Sequence, residues 1–116
     1  MKAFPAASTI EILVDHREVN APVLALLRER AECSVQLAHL KVGDYAIGNA
    51  LLFERKTIAD LVDSIIDGRL FAQAQRLATS GARGVLIVEG SVATLPAQGM
   101  SWEAIQGALV TVAVFH

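Results

Sequence analysis

Short runs of β-branched and aliphatic residues alternate with segments of helical apolar spacing, and this alternation constrains the fold more than any other feature. Residues 10–14 and 84–88 are almost wholly apolar, as buried strands are. Between them the pattern predicts a helix, a hairpin and a second helical segment, and a last helix follows. Helical crossovers favour parallel pairing and a hairpin is antiparallel, so the pattern predicts an α/β domain with a mixed sheet.

The first helix and the hairpin have local signals for their ends. Asn20 is predicted to be the N-cap of the first helix, with Pro22 in its first turn and an end near Glu32. Residues 34–47 and 50–55 are predicted to be the two strands of the hairpin, because alternating segments flank a Gly-Asn turn. This is a strand, a helix and a hairpin in sequence.

The second half of the chain is predicted to be mostly helical around the strand at 84–88. Thr57 and Asp60 have the spacing of a capping box, and Gly68 is expected to interrupt or kink the helix that they open. Beyond Gly68 three polar residues share a face: Arg69, Gln73 and Arg76. Ser101 is predicted to cap a last helix that is apolar on nearly every side.

Composition narrows the class of protein. The chain has 116 residues, 53% of them hydrophobic, which suits one domain (10–116) after a loose leader (1–9). A single cysteine, Cys33, excludes a disulfide or zinc framework within one chain. We expect no signal peptide, no membrane span and an intracellular location. Because the net charge is −2, any contact with nucleic acid must come from a local cluster.

The predicted hairpin carries the residues with the clearest chemistry. Glu54 and Lys56 are two apart and should share one face of a strand, with Asp44 across from them on the other arm. Two carboxylates beside an ammonium suit a divalent-metal site, since hard oxygens bind Mg²⁺ or Mn²⁺ and a lysine can offset charge on phosphate. The alternative is a solvated hairpin edge with an ordinary Glu/Lys pair.

A second polar cluster follows the first strand. Asp15, Arg17 and Glu18 lie just past its carboxyl end, where α/β folds commonly place ligands. By itself this segment is also explained as a polar turn.

Taken in order, these pieces resemble the nuclease domain of the XPF family, which includes archaeal Hef. They are the VDHRE segment from Val14, Gly43-Asp44-Tyr45, Glu54-Arg55-Lys56 with Asp60 four positions on, and the SIIDGRL segment from Ser64 followed by Gln73. The match runs from about residue 10 to residue 90. A lone Glu-x-Lys would be weak evidence, but the whole series is specific.

The resemblance implies a restriction-endonuclease-like, three-layer α/β/α domain with a central mixed sheet. It also implies metal-dependent cleavage of branched DNA, such as flaps and forks, in repair or recombination. Carried over by position, Asp44 and Glu54 would be ligands of Mg²⁺ or Mn²⁺, the backbone carbonyl of Arg55 a third, and Lys56 the catalytic lysine. Asp15 and Glu18 would be catalytic residues that line the site and help with the metal or its water. Three residues would face DNA: Arg17, which would contact the scissile phosphate or hold the carboxylates, with Arg69 and Gln73.

Two residues keep open interpretations. Asp60 completes the family motif, but its spacing from Thr57 also explains it as a helix cap, the interpretation that we favour. The side chain of Arg55 should point away from Glu54 and brace the structure or pair with an acid such as Asp60. Core packing beneath the site is expected for Tyr45.

The chain departs from the family pattern in its partners. Family members that cut DNA usually carry a helix-hairpin-helix domain, so a separate DNA-binding domain or partner is expected. Their nuclease domains usually continue with another strand and helix, so the resemblance leads us to expect a chain that is trimmed, minimal or rearranged at its end. Family domains pair through C-terminal helices, and we predict a homodimer through this one. The alternatives to a nuclease are a catalytically silent partner and a small-molecule-binding domain, which lacks support from any phosphate-binding loop.

Overall fold

A computed structural model describes residues 9–95 and 99–115. The leader prediction falls largely on residues 1–8, which lie outside the described residues. The elements, in chain order, are β1 Ile10–Asp15, α1 Pro22–Arg28, β2 Cys33–Ala38, β3 Tyr45–Ile47, β4 Leu51–Thr57, α2 Ile58–Ile66, α3 Arg69–Ala78, β5 Arg83–Glu89 and α4 Trp102–Phe115. Short 3-10 turns at His16–Glu18 and Val92–Thr94 follow β1 and β5. None of the described helices has the length and apolar character needed to cross a membrane.

The strands form one mixed sheet in the order β2-β1-β3-β4-β5. The outer pairs, β1 with β2 and β4 with β5, are parallel, whereas β3 is antiparallel to both of its neighbours. On one face Leu24 of α1 packs with Val14 and Tyr45, and on the other Leu77 of α3 packs with Ala46 and Leu52. Helices therefore cover both faces, which confirms the predicted three-layer α/β/α class.

The prediction of one continuous first strand for the hairpin, over residues 34–47, was wrong. Residues 34–47 are two strands, β2 and β3, which lie on opposite sides of β1. The true hairpin joins β3 to β4 alone. Segment 39–44 leaves the sheet because Leu40 N donates a hydrogen bond to Asp15 Oδ1 at 2.8 Å. The local sequence pattern does not predict this contact, since the two residues are 25 positions apart.

The predicted ends of the first helix were also wrong. The N-cap is Ala21 rather than Asn20, because Pro22 occupies the first helical position and forces the residue before it into extended backbone. The helix ends at Arg28, four residues before Glu32. The chain turns there so that Cys33 can pair with Ile10.

The boundary between the next two helices is as predicted. Thr57 Oγ1 accepts a hydrogen bond from Asp60 N at 3.1 Å and caps α2. Gly68 has φ +81°, a left-handed conformation that favours glycine, and it separates α2 from α3. The largest core cluster then joins these helices to α4 through Leu61, Leu70 and Ile105. This core fixes α2 and α3 beside the carboxyl end of β4.

The last helix begins as predicted. Ser101 Oγ accepts from Ala104 N at 3.2 Å, and α4 follows. Ile105 is fully buried, but Val110 and Val114 are exposed on the outer side of the helix. The helix thus buries one face and leaves apolar side chains on another.

Candidate active site

The β3–β4 hairpin brings the two central carboxylates together. Tyr45 pairs with Phe53, and Asp44 N donates to Phe53 O at 2.7 Å, so Asp44 lies across from Glu54. Arg55 N donates to Asp44 Oδ2 at 2.8 Å and fixes that carboxylate. The predicted placement of Asp44, Glu54 and Lys56 on one side of the hairpin is what the structure has.

Gly43 explains how the chain reaches Asp44. Its φ is +80°, and a Cβ built on it would lie 2.7 Å from Leu52 Cδ1 and 3.2 Å from Phe53 O. Only glycine combines the left-handed backbone with this close approach. The glycine therefore lets the 39–44 loop press against β4 and place Asp44 between β1 and β4, directly before the central strand β3.

A polar cleft of about 240 Å³ opens beside this pair. Its lining contains eight of the residues named from the sequence: Arg17, Glu18, Asp44, Glu54, Arg55, Lys56, Asp60 and Arg69. Ser64 completes the lining. Residues from the 3-10 turn after β1, the hairpin, α2 and α3 thus meet at the point where β4 ends.

Lys56 has an unusual position for a lysine. Its residue surface is 5% exposed, and Nζ donates to Ser64 Oγ at 3.0 Å. Ser64 Oγ in turn donates to Asp60 O at 2.7 Å. Within the described part of the chain no carboxylate lies within ion-pairing distance of this ammonium. A buried ammonium with one neutral partner is costly to the fold, as functional groups often are.

The two carboxylates of the hairpin oppose each other electrostatically. Burial raises the pKa of Asp44, against the hydrogen bond from Arg55 N, and the nearby Glu18 raises it further. Burial also raises the pKa of Glu54, and Asp44 adds to the shift. Among the described residues no three His, Cys, Asp or Glu side chains form a metal-binding group. Two carboxylates that disfavour each other's charge nevertheless suit a Mg²⁺ ion, which uses one or two carboxylates and keeps waters.

Asp15 lies behind the cleft rather than in its lining. It is 1% exposed, and its Oδ2 accepts from Arg17 N at 3.0 Å and from Arg17 Nε at 2.6 Å. Burial would raise the pKa of Asp15, but the hydrogen bonds from Arg17 and Leu40 outweigh it and hold that pKa well below its usual range. Asp15 therefore anchors Arg17, whose side chain is 68% exposed and reaches to 3.8 Å from Asp44 Oδ1.

Glu18 and Arg55 also line the cleft, but the Arg55 side chain lies on the opposite face of β4 from Glu54 and Lys56 and forms its own network. Arg55 Nε donates to Glu18 Oε1 at 2.6 Å and Nη1 donates to Glu89 Oε1 at 3.1 Å. Tyr45 OH also donates to Glu18 Oε1, at 2.9 Å. The hydrogen bond to Glu18 raises the pKa of Arg55, and burial with the Glu18 contact raises that of Tyr45. The predicted bracing role of the Arg55 side chain holds, but its partners are Glu18 and Glu89 rather than Asp60.

The remaining predicted residues lie at the rim. Asp60 is exposed at the third position of α2, where its backbone takes part in the cap. Arg69 is exposed and pairs with Asp67 at 2.7 Å while lining the cleft. Gln73 lies outside the cleft, in an adjoining groove that shares Arg17 and Glu54 with it.

Comparison with known proteins identifies the family. The ERCC4 domain model matches residues 14–116, nearly the whole chain. The chain belongs to the ERCC4 domain family. This confirms the resemblance to XPF nuclease domains, and the fold of this ERCC4 domain is the one that the resemblance implies.

Curated relatives and solved structures of this ERCC4 domain agree. It is 34% identical over 105 residues to the 3′-flap repair endonuclease Xpf of Saccharolobus solfataricus, covering 90% of this chain and 45% of that protein. It is 35% identical over 78 residues to the DNA repair endonuclease XPF of Mus musculus, covering 67% of this chain and 8% of that protein. The structure of XPF from Aeropyrum pernix in complex with DNA matches with a TM-score of 0.75 and 31% identity, over 90% of this chain and 52% of that one. The chain thus spans less than half the length of these curated relatives.

Two residues of this ERCC4 domain site had no role predicted from the sequence. Ser64 holds Lys56, and its signal was a hydroxyl on the apolar stripe of α2 between Leu61 and Ile65. Glu89 holds Arg55 and carried no such signal, because the two residues meet only through the parallel pairing of β4 with β5.

Proposed function

We propose that this ERCC4 domain is a divalent-metal-dependent endonuclease that hydrolyses phosphodiester bonds near branched DNA junctions, in repair or recombination. The observation that carries the proposal is the cleft in which Asp44 and Glu54 face each other while Lys56 is buried beside them. The pairing is unfavourable for the fold alone, because two carboxylates repel and a buried ammonium is desolvated. A phosphate-cleaving site uses each of these groups.

The residues divide into those that would touch the reacting groups and those that would position them. Asp44 and Glu54, with the carbonyl of Arg55, would hold a Mg²⁺ or Mn²⁺ ion. Such an ion, when bound, lowers the pKa of its water and offsets charge on the phosphate. Lys56 would stabilise negative charge that develops on the phosphate oxygens.

Arg17 and Asp15 form the second part of the mechanism. The exposed guanidinium of Arg17 can bind a phosphate in a bidentate way. Its ion pair with Asp15 already restricts the rotamers of the side chain, so less conformational entropy is lost when a phosphate binds. We therefore assign Asp15 a positioning role. Glu18 is engaged by Arg55 and Tyr45, which supports a role in holding the floor of the site.

The residues that face DNA in this proposal are Arg17, Arg69 and Gln73. Arg69 lies at the rim of the cleft and Gln73 in the adjoining groove. Asp60 has no catalytic role in this proposal: its backbone N–H donates to the Thr57 cap, and its carboxylate lies in the first turn of α2, where the helix dipole favours negative charge.

The test is cleavage of end-labelled 3′-flap, fork, single-stranded and duplex DNA with Mg²⁺ or Mn²⁺. The parent chain is compared with Asp44→Asn and Lys56→Met, with circular dichroism as the folding control. The proposal predicts that the parent cuts branched DNA and that both variants are folded but at least a hundredfold slower, as expected when one electrostatic group is removed, about 10²–10³ in rate. A folded, metal-binding parent that cuts nothing would favour the catalytically silent partner instead.

The same proposal includes assembly. Exposed Val110 and Val114 on α4 support a homodimer through this helix. A separate DNA-binding domain or partner protein would supply further affinity, and the location would be intracellular. Light scattering at tens of micromolar tests the dimer, and a monomer there would count against it.

A further inference from the structure

A second groove adjoins the candidate active site and contains cations that the proposed chemistry does not use. It has a volume of about 100 Å³ and lies between the 39–44 loop and α3. Its polar lining is Arg17, Lys41, Glu54, Gln73 and Arg76. Arg17 and Glu54 also line the cleft described above, so the two depressions are continuous.

The charge of this groove differs from that of the whole chain. Three of its lining residues are cationic and one is anionic, whereas the chain carries a net charge of −2. Lys41 and Arg76 are exposed and, within the described residues, have no carboxylate at ion-pairing distance. Arg30 and Arg69, by contrast, each pair with a nearby acid. Two cations without a protein partner are available to an external anion.

The groove is held in place by the fold. The backbone beside Lys41 is fixed, since Leu40 N donates to Asp15 and Gly43 presses on Leu52. At its side, Gln73 Oε1 is buried and has no hydrogen-bond partner among the described residues. A buried amide with unused hydrogen-bonding capacity is rare in the absence of a ligand or water.

Helix α3 sets the spacing of the cations. Arg69 and Arg76 are seven residues apart on one face, which is about 10 Å along the helix axis at a rise of about 1.5 Å per residue. Successive phosphates of one duplex strand advance by about 3.4 Å along the axis. The face of α3 therefore spans about three phosphates, beginning at the rim of the cleft.

We propose that Lys41 and Arg76 bind a phosphodiester group on the DNA strand that is cut, within about three phosphates of the cleaved bond, so that the backbone runs from the cleft along α3. This inference rests on the proposed nuclease function. It assigns ground-state binding to Lys41 and Arg76 and leaves the rate of the chemical step to Asp44, Glu54 and Lys56. Because the cations are exposed and unpaired, their removal should leave the fold intact.

The test compares Lys41→Gln/Arg76→Gln with a charge-matched control, Arg28→Gln/Arg83→Gln. Arg28 and Arg83 are exposed, without ion pairs among the described residues, and line neither depression. Binding of a fluorescent fork DNA to the parent and both double variants is measured in EDTA from 50 to 300 mM salt. Single-turnover cleavage with Mg²⁺ follows at saturating protein.

The groove variant should bind roughly tenfold more weakly at about 0.1 M salt, and the slope of log Kd against log salt should fall by about 2, one for each lost cation. Its cleavage rate at saturation should stay within about threefold of the parent, whereas Lys56→Met should lose the rate and keep the affinity. The control should retain the parent's slope within about 0.5.

A substrate series locates the phosphate. Single methylphosphonates, which remove one backbone charge, are placed one to four positions from the cleaved bond. One position should weaken binding of the parent and leave the groove variant unchanged. If the groove variant matches the control in affinity and slope while Asp44→Asn abolishes cleavage, the groove is not a phosphate site and the proposed function stands. A parent that binds no forked DNA would overturn both.

Discussion

The contact between Lys56 and Ser64 allows a quantitative prediction. Within the described residues, Ser64 Oγ is the one hydrogen-bond partner of the Lys56 ammonium. Hydrogen bonds to charged groups contribute about 1.5–3 kcal/mol. Ser64→Ala removes this bond but adds about 0.5 kcal/mol of helix propensity. The bond from Ser64 to Asp60 O is local to the helix and close to neutral. We expect the free energy of unfolding to fall by about 1–2.5 kcal/mol.

The matched variant is Lys56→Met, whose unbranched side chain is one atom shorter and carries no charge. Desolvating an ion costs several kcal/mol, so we expect this variant to be at least as stable as the parent while it loses cleavage. In its background, Ser64→Ala should change stability by less than about 0.5 kcal/mol, because no ammonium remains to be left unpaired. The coupling energy of the cycle should therefore be about 1.5–3 kcal/mol, which is the whole contribution of the hydrogen bond.

Urea unfolding at pH 7, followed by circular dichroism, measures all four proteins, with equal slopes as the check on two-state behaviour. A loss of 1 kcal/mol should lower Tm by about 4 °C in a domain of this size. If Ser64→Ala costs the same with and without Lys56, the contact carries no free energy, and the idea that Ser64 holds the lysine is refuted.

Three further predictions follow from the site and its loop. The folded-state pKa of Asp15 lies below its unfolded value, so the stabilisation of the fold by ionised Asp15 is full above pH 4 and is lost as pH falls. Asp15→Asn should therefore lower the free energy of unfolding by about 2 kcal/mol at pH 7. Urea titrations below pH 4 should find that the difference between parent and variant becomes smaller. The pKa of Glu54 is raised in the folded state, so ionised Glu54 lowers stability at pH 7, and this cost disappears as pH falls to the ordinary glutamate pKa of about 4.3. Glu54→Gln should therefore raise Tm at pH 7, lose that gain as pH falls towards about 4.3, and abolish the rise in Tm that the proposed Mg²⁺ or Mn²⁺ site predicts for the parent; an undiminished rise would remove Glu54 as a ligand. Gly43→Ala places a side chain on a left-handed backbone and in close contact with Leu52, so it should lower the free energy of unfolding by about 2–4 kcal/mol. Gly48→Ala, where nothing lies within 4 Å of the added Cβ, should lower it by about 1 kcal/mol. Urea unfolding measures both, and equal losses would mean that Leu52 moves aside freely.

The parts of the fold that were predictable have strong local signals. Residues 10–14 and 84–88 are almost wholly apolar, and β1 and β5 extend them by one or two residues, but the predicted burial of β5 was wrong because it is an edge strand with no fully buried residue. Thr57 caps α2 with its own side chain, and Gly68 ends the helix through its own backbone conformation. Both roles are local, so they were also predictable. The separation of β2 from β3 depends on which strands pair with β1. That pairing is determined by contacts between residues far apart in the sequence, such as Leu40 with Asp15.

The candidate site divides in the same way. Asp44, Glu54 and Lys56 converge because a strand alternates its faces and a hairpin sets its register, both of which can be predicted locally. The partners of Arg55 could not be predicted, since Glu18 is 37 residues away and Glu89 is 34. The catalytic roles of Asp44, Glu54 and Lys56 are predictions that the cleavage experiment tests.

Three consecutive residues of β4 serve two networks on opposite faces of the strand: Glu54 and Lys56 lie on one face, and Arg55, which pairs with Glu18 and Glu89, lies on the other. A shift of β4 by one residue against β3 would exchange the two sets and place a guanidinium where the carboxylate and the ammonium belong. The number of residues between Ile47 and Leu51 is therefore more constrained than their identity. Laboratory evolution of this domain should accept substitutions in that turn and reject single insertions and deletions.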